Sequence, residues 1–211
     1  MPYLAEKNKN TRLSQADDSS KSGFKAPAKI NMMEVQEVIL VNEQDKAIGT
    51  MEKMEAHRKG LLHRAFSVFV FNSKGEMLLQ RRALSKYHSG GLWTNSCCSH
   101  PRPGEEVLDA AQRRLQEEMG FVTPLEKIFD FVYQAEFENG LIEHEFDHVY
   151  AGEYEGAVKF NFQEIMDYCY KSLGEVKTSL LDQPDKFTAW FHLAFPRIEE
   201  WWSRNYKHIT V

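Results

Sequence analysis

The sequence predicts an α/β domain in which helices pack against a mixed β-sheet. Three observations predict it: a hairpin pattern over residues 64–81, an amphipathic helix over residues 105–119, and a further pair of strand-like runs after that helix. The length of 211 residues fits one such domain, which we place at residues 32–211. A hydrophobic content of 42% is ample for its core.

The N-terminal half begins with a segment unlike the rest. Residues 1–31 are rich in Lys, Asn, Ser and Asp and lack periodicity, which predicts a flexible N-terminal tail. The apolar run at residues 38–41 predicts a buried strand, and residues 51–62 favour a turn and a short helical segment. The β-branched and aromatic residues of 64–71 predict a strand, residues 76–81 predict the return strand, and a Gly-containing turn joins the two as a hairpin.

The clearest helical pattern follows a long loop. Residues 83–104 are rich in Gly and Pro, as loops are. Residues 105–119 then carry apolar side chains three or four positions apart, which predicts a helix with one buried face. That face consists of Leu108, Ala111, Leu115 and Met119. Gly120 is suited to end the helix.

Two strands and two helices are predicted for the C-terminal part. The strand patterns lie near residues 128–138 and 143–152, and the Asn-Gly pair between them is typical of a hairpin turn. The helical patterns lie near residues 162–173 and from about 196 to 207. This order of strands and helices is that of a layered α/β domain.

Composition excludes several classes of protein. The chain has 26 Lys and Arg against 31 Asp and Glu, which argues against nucleic-acid binding but allows a small anion in a local basic pocket. Its apolar runs are shorter than the ~20 residues that cross a bilayer, so no membrane partner is expected. Three cysteines, two of them adjacent, and no secretory signal predict free thiols in the cytoplasm.

Two Cys and His patterns could carry chemistry, and each has a structural alternative. Cys98 lies in a polar loop two residues before His100, so an imidazole could tune its thiol or bind a metal nearby; an incidental thiol is the alternative. His57 and His63 are six apart and share no helical face. They could bind one metal only across a bend, which Gly60 could supply, and surface positions are the alternative.

A pair of acidic residues is the third pattern of this kind. Glu143 and Glu145 are two apart on a predicted strand and therefore share one face of it. Carboxylates this close repel each other unless a cation or a proton lies between them. They could form a metal site, hold a carboxyl group for proton transfer, or lie on a solvated edge strand.

Residues 102–121 resemble a degenerate Nudix box, the loop–helix motif of diphosphate-processing enzymes. The residues that fit are Glu105, Arg113, Leu115, Glu117, Glu118, Gly120 and Phe121. Two positions depart from the motif: Ser99 replaces its first Gly, and Arg114 replaces the Glu that follows Arg. Loss of that carboxylate weakens the metal cluster with which Nudix hydrolases activate water, so the box alone implies the fold rather than hydrolysis.

The surrounding segments resemble type I isopentenyl-diphosphate Δ-isomerases, a family of the Nudix superfamily. The resemblance is carried by Arg-Arg-Ala-Leu-Ser-Lys at 81–86, Trp-Thr-Asn-Ser-Cys-Cys-Ser-His-Pro at 93–101 and Glu-His-Glu at 143–145, and it spans residues 34–190. It implies a Nudix-type mixed β-sheet sandwiched between helices. It also implies a metal-dependent isomerase of isoprenoid biosynthesis, which interconverts isopentenyl and dimethylallyl diphosphate by proton transfer through a tertiary carbocation.

The resemblance implies roles for residues of this sequence. Cys98 and Glu145 transfer protons on opposite faces of the substrate. Tyr133 assists protonation, and the ring of Trp190 lies beside the developing cation. The implied ligands of a Mn²⁺, Mg²⁺ or Zn²⁺ ion are His57, His63, His100, Glu143 and Glu145. The implied diphosphate-binding cations are Lys53, Arg82, Lys86 and Arg114. Glu118 matches the carboxylate that binds a second Mg²⁺, which arrives with the diphosphate.

Two other functions are open at this point. A Nudix hydrolase of nucleoside diphosphate derivatives is disfavoured by Arg114 and would give Cys98 no role. A non-catalytic metal- or diphosphate-binding module would favour closely spaced Cys and His ligands such as C-x-x-C pairs, which the sequence lacks. We therefore expect an enzyme whose partner is its small-molecule substrate, in a monomer or a homodimer.

Overall fold

The computed structural model describes residues 36–206, so the predicted tail at residues 1–31 and the domain boundary at residue 32 lie outside the described residues. In chain order the elements are β1 (Glu37–Val41), β2 (Ala47–Glu52), α1 (Lys53–Lys59), β3 (His63–Phe71), β4 (Met77–Arg82), β5 (Trp93–Thr94), β6 (Cys97–Ser99), α2 (Val107–Met119), β7 (Glu126–Glu136), β8 (Ile142–Glu153), β9 (Ile165–Lys171), α3 (Leu173–Asp182), a 3-10 turn (Pro184–Lys186) and α4 (Ala189–Asn205). Within residues 36–206, each helix is too short or too polar to span a bilayer.

The mixed sheet is organised around β3. One edge of β3 pairs in parallel with β8, from His63 opposite Glu145 to Phe71 opposite Glu153. Its other edge pairs antiparallel with β1, then with β6 and then with β4. Strand β2 pairs with β1, β5 and β9 pair with β4, and β7 pairs with β8. As a result, β6 and β8 lie on opposite sides of β3 and bring together residues that are distant in sequence.

Two apolar cores cover the two faces of the sheet, because side chains alternate along each strand. On one face, Phe69 and Phe71 of β3 pack in a cluster with Phe191 and Ile198 of α4. On the other face, strand residues pack against the inner side of α2. This second core includes Phe66, Val68, Val70, Ala111, Leu115 and Met119. The prediction of an α/β domain with a mixed sheet between helices is confirmed.

Helix α2 matches the strongest pattern in the sequence except at its first turn. It begins at Val107, two positions after the predicted start, and ends at Met119 as predicted. Gly120 adopts φ 78°, a left-handed conformation that glycine reaches without strain. Leu108 is 38% exposed, so its assignment to the buried face is wrong.

The helix predicted near residues 162–173 is also wrong. Residues Ile165–Lys171 form β9, which pairs along its length with β4. Tyr168 and Tyr170 are two apart in β9, lie on the same face of the strand and pack against the core that contains α2. Pairing with a neighbouring strand decides the structure here, since strand preference depends on that packing more than on local pattern.

The last helix, α4, begins at Ala189 instead of near residue 196. Pro196 interrupts the helical pattern in the sequence, yet the helix continues through it. The predicted end at residue 207 lies outside the described residues. The earlier start matters because it places Trp190 in the first turn of α4.

Strands β2, β5 and β6 and helix α3 have no counterpart in the prediction. Strands β5 and β6 have two and three residues, which is too short to leave a periodic pattern. Helix α3 does have a signal, because Ser172 and Glu175 form a capping box at its start.

Candidate active site

A cavity of about 430 Å³ is lined by residues of β6, β8, α2 and α4. Most of the predicted site residues reach its wall. These are Lys53, Arg82, Lys86, Cys98, His100, Arg114, Tyr133, Glu143, Glu145 and Trp190. Three others, His57, His63 and Glu118, are buried behind the wall and do not line it.

Cys98 is held in the cavity by its position on β6, where it lies opposite Ser67 of β3. Its thiol donates to Asn95 Oδ1 at 2.9 Å, and its sulfur accepts from Trp190 Nε1 at 3.0 Å. Burial raises the pKa of the Cys98 thiol, so the sulfur carries its proton at neutral pH. The neighbouring Cys97 points to the other face of the strand and is fully buried in the core against α2.

Tyr133 connects the two carboxylates of β8. Strands β7 and β8 pair with Tyr133 opposite Glu145. The Tyr133 hydroxyl lies 2.6 Å from Glu145 Oε2 and 2.9 Å from Glu143 Oε2. It is within hydrogen-bond distance of both oxygens and donates its single proton to one of them at a time. Burial and the nearby carboxylates raise the pKa of Tyr133 well above its usual range. The phenol is therefore a permanent donor that fixes the two acidic side chains side by side.

Three imidazoles converge on Glu145. Gly60 ends α1 with φ 61°, and this turn brings His57 of α1 to His63 of β3, with 4.8 Å between ring centroids. His57 Nδ1 bonds to the Lys53 carbonyl oxygen at 2.7 Å, and His63 Nδ1 bonds to the Leu61 carbonyl oxygen at 2.8 Å. Both rings are thereby oriented with Nε2 toward the site, as in protein metal centres.

The third imidazole, His100, completes this group. Its Nε2 lies 2.8 Å from Glu145 Oε1 and 3.2 Å from His63 Nε2. Burial lowers the pKa of His100 to about 3, and burial also lowers the pKa of His57. Burial alone would raise the pKa of Glu145, but hydrogen bonds with His100 and His63 hold it well below its usual range. The neutral imidazoles of His57 and His100 therefore face an ionised carboxylate. Burial alone would lower the pKa of His63, but Glu145 raises it.

This group of donors fits a divalent metal ion. The ligand atoms of His57, His63, His100 and Glu145 all lie within 4.8 Å of one another. His57 Nε2 is buried and has no hydrogen-bond partner. Neutral imidazole nitrogen and carboxylate oxygen are ordinary ligands of such ions, and an ion would satisfy the orphaned nitrogen.

Four cations reach another part of the cavity wall: Lys53, Arg82, Lys86 and Arg114. Burial, with a contribution from the nearby Lys86 and Arg114, lowers the pKa of Lys53 to about 8. Arg114 bonds to Glu118, which also accepts from Gln80 Nε2 at 3.2 Å. So much positive charge in one place suits a ligand with several negative charges.

Glu164 lies among these cations, although the sequence places it in a predicted helix. Its carboxylate bonds to Lys86 and lies 3.1 Å from Arg114 Nη2. Burial alone would raise the pKa of Glu164, but the two cations lower it to about 2. A fixed negative charge therefore already partly neutralises the basic wall.

Sequence reasoning missed Ser67, His88, Asn95 and Glu164. His88 is buried in the loop after β4, and its Nε2 lies 2.8 Å from Glu143 Oε1. The available signal was its position in the Gly-rich loop between two of the motif segments, whereas Asn95 lies within the second of these segments. Ser67 meets Cys98 only through the pairing of β3 with β6, which no local pattern reveals.

Comparison with known proteins identifies residues 61–191 as a NUDIX domain. A crystal structure from Deinococcus radiodurans has a TM-score of 0.60 at 21% identity, and the match covers 70% of this chain and 90% of that one. The crystal structure of a MutT protein from Methanosarcina mazei has a TM-score of 0.53 at 23% identity, covering 66% of this chain and 94% of that one. At these identities the likeness shows the fold alone.

Curated relatives are much more similar in sequence. The isopentenyl-diphosphate Delta-isomerase of Pectobacterium atrosepticum is 52% identical over 170 residues, which cover 81% of this chain and 95% of the relative. That of Burkholderia multivorans is 51% identical over 162 residues, which cover 77% of this chain and 92% of the relative. The chain therefore belongs to the NUDIX family and, within it, to the isopentenyl-diphosphate Delta-isomerases.

Proposed function

We propose that this protein is an isomerase that interconverts isopentenyl diphosphate and dimethylallyl diphosphate, a step of isoprenoid biosynthesis. Its relatives carry the name of that activity. In the structure, one observation carries the proposal: Cys98 and Glu145 face the same cavity, one holding a proton and the other ionised. Two groups that can exchange protons with a substrate are thus present before substrate binds.

The reaction moves a double bond by adding a proton to one carbon atom and removing a proton from another. A simple alkene is a very weak base, and its protonation produces a tertiary carbocation that water would capture. The enzyme must therefore supply a donor, an acceptor, a stabilising surface for the cation and a cavity that excludes water. The diphosphate group, which does not react, supplies binding energy that holds the alkene in place.

Cys98 and Glu145 are the proposed proton-transfer residues. The hydrogen bond from Trp190 Nε1 orients the Cys98 sulfur and stabilises the thiolate that forms when the proton leaves. The Tyr133 hydroxyl plays the corresponding part at Glu145, where its 2.6 Å contact holds Oε2 and assists proton transfer. The reaction is reversible, so each residue takes back the kind of proton that it gave.

The indole ring of Trp190 is the proposed stabiliser of the cation. The side chain is buried and lines the cavity together with Cys98 and Glu145. The face of an aromatic ring contributes about 2 kcal/mol or more to a desolvated cation. That energy corresponds to more than a tenfold gain in rate if it is realised at the transition state.

The proposed metal centre uses neutral imidazoles and carboxylates. Its proposed ligands are His57, His63, His100, Glu143 and Glu145, which suit Mn²⁺, Mg²⁺ or Zn²⁺. An ion bound there would orient Glu145 and lower its proton affinity. Glu118 is the proposed carboxylate for the Mg²⁺ that accompanies the diphosphate.

The proposed diphosphate site is the basic part of the cavity wall, formed by Lys53, Arg82, Lys86 and Arg114. Arg114 stands where the Nudix motif has a metal-binding Glu, so this wall binds a diphosphate without assembling the hydrolytic metal cluster. We also propose a cytoplasmic monomer or homodimer whose partner is this substrate. The net charge of −5 supports the exclusion of nucleic acid.

The function is tested by incubating the protein with isopentenyl diphosphate and Mg²⁺ in deuterated water and following the products by NMR. We expect dimethylallyl diphosphate with deuterium in a methyl group, because the added proton comes from a group that exchanges with solvent. Release of inorganic phosphate or diphosphate without isomerisation would identify a hydrolase on the same fold and contradict the proposal.

Substrate affinity is expected to fall as the pH rises through the pKa of Lys53, about 8. Below this value the ammonium group is charged and attracts the diphosphate; above it the amine is neutral. KM should therefore rise by roughly tenfold between pH 7 and pH 9, with a smaller change in kcat. Lys53→Arg keeps the charge over this range, so an equal rise of KM in that variant would contradict the assignment.

A further inference from the structure

We propose that His88 is a ligand of the same metal ion, so that four imidazoles and two carboxylates form a shell of six protein donors. The inference rests on the proposed metal centre and adds a donor that the sequence motifs do not contain. It is carried by the orientation of the His88 ring, by an unsatisfied buried nitrogen and by the spacing of the donor atoms.

The His88 ring is clamped in one orientation. It is 6% exposed and stacks on Phe137 with 4.5 Å between ring centroids and 14° between ring planes. Tyr87 packs edge-on against it at 4.4 Å. Nδ1 lies 3.2 Å from Ser89 Oγ, so the hydroxyl occupies the outer nitrogen. Nε2 therefore faces Glu143. In His57 and His63 the Nδ1 atom is also occupied by a hydrogen bond, and Nε2 is again the nitrogen that faces the site.

The inward nitrogen of His88 is buried without a hydrogen bond. It lies 2.8 Å from Glu143 Oε1, but the two groups are not aligned as donor and acceptor. His57 Nε2 is in the same condition, and its ligand atom lies within 4.8 Å of those of His88 and Glu143. Two unsatisfied imidazole nitrogens that face one carboxylate indicate a shared cation, since buried polar atoms are rarely left without a partner.

Within each of the two donor groups, neighbouring atoms have the spacing of ligands in a coordination shell. Two ligand atoms at about 2.1 Å from an ion and at right angles to each other are about 3.0 Å apart. His88 Nε2 lies 2.8 Å from Glu143 Oε1, which matches this spacing. His100 Nε2 lies 2.8 Å from Glu145 Oε1 and 3.2 Å from His63 Nε2, which also match.

The two donor groups share His57, and we infer from this that they form one centre. The described residues contain two groups that could hold an ion, His57 with His63, His100 and Glu145, and His57 with His88 and Glu143. A neutral imidazole has one free lone pair, so His57 Nε2 binds one ion at a time. The Tyr133 hydroxyl, which touches both carboxylates, connects the same two groups.

A sixth protein donor has two chemical consequences. A shell with four imidazoles favours Zn²⁺, Co²⁺ or Mn²⁺ over Mg²⁺, which prefers oxygen ligands. A shell filled by protein also leaves no position for water, whereas hydrolytic metal sites keep one open. Both consequences suit an ion that orients carboxylates without producing hydroxide.

The test is proton NMR of the full-length protein loaded with Co²⁺. Each coordinated imidazole shifts its own Nδ1 proton far downfield, and these signals disappear in deuterated water. We expect four such signals in the wild-type protein, three in His88→Gln and four in His192→Gln, a matched change at a half-buried histidine on α4 that lies outside the cavity wall. Titration should also show at least tenfold weaker Co²⁺ binding in His88→Gln.

Three signals in the wild-type protein, all retained in His88→Gln, would overturn the role of His88 and leave the metal centre intact. This count in the wild-type protein does not depend on how well the variant folds. Failure of the wild-type protein to bind Co²⁺ at all would overturn the metal centre itself and His88 with it. The two failures are therefore distinguishable, and neither is read from catalytic activity.

Discussion

Glu145→Gln is expected to lower kcat by about 10³-fold or more and to weaken metal binding in the same protein. The amide has nearly the same shape and can still accept the hydrogen bond of Tyr133, which now approaches at 2.6 Å. It can neither give nor accept a proton, and it is a poorer ligand for a divalent ion than a carboxylate. Both proposed roles of Glu145 are therefore lost without a change in packing.

The measurements for this variant are kcat by deuterium incorporation and metal affinity by titration. Glu153→Gln is the matched control, because Glu153 lies at the far end of the same strand, β8, and is exposed. We expect it to retain both properties. Turnover near the wild-type rate in Glu145→Gln would exclude proton transfer by this residue, and unchanged metal affinity would exclude it as a ligand.

Cys98→Ala is expected to reduce kcat by a similar factor, about 10³-fold, with little change in KM. The sulfur is one of the two proposed proton carriers, so its removal leaves only one of the two groups that must give and take protons. The four cations proposed to hold the diphosphate are untouched, so binding should persist. Isomerisation in deuterated water measures the loss of turnover, and binding of the diphosphate is measured separately by calorimetry.

The adjacent thiol provides the control for Cys98. Cys97→Ala removes the same atoms one residue away, but Cys97 faces the core against α2 and does not line the cavity. We expect this variant to unfold at a somewhat lower temperature, since a buried side chain becomes smaller, and to keep its turnover. Equal losses of activity in the two variants would mean that Cys98 acts through packing instead of chemistry.

Local patterns were sufficient to predict some of the fold. Helix α2 follows its predicted bounds within two positions because its apolar residues repeat at helical spacing and Gly120 ends it. The same reasoning is wrong for β9, whose structure is decided by its pairing with β4. The seven residues of β9 alone cannot reveal this pairing, because the partner strand lies far away in the chain.

The candidate site likewise has parts that the sequence could predict and parts that depend on the fold. His63 and Glu145 meet because β3 and β8 run in parallel and in register, and only the resemblance to a family could suggest this from sequence. The metal ligands and proton carriers stay predictions, but the structure gathers most of them at one cavity. His88 and Glu164 escaped notice because their chemistry depends on neighbours that the fold supplies, Glu143 for one and Lys86 for the other.

The position of Glu164 affects which anions the four cations of the cavity wall bind. Its carboxylate is paired with Lys86 and Arg114. An incoming anion must therefore compete with the carboxylate of Glu164 for these two cations. Chloride replaces one negative charge by another and gains little from the exchange. A diphosphate brings several charges and engages the cations that one carboxylate leaves incompletely neutralised. We therefore expect the cavity to discriminate against singly charged anions and to admit a highly charged diphosphate.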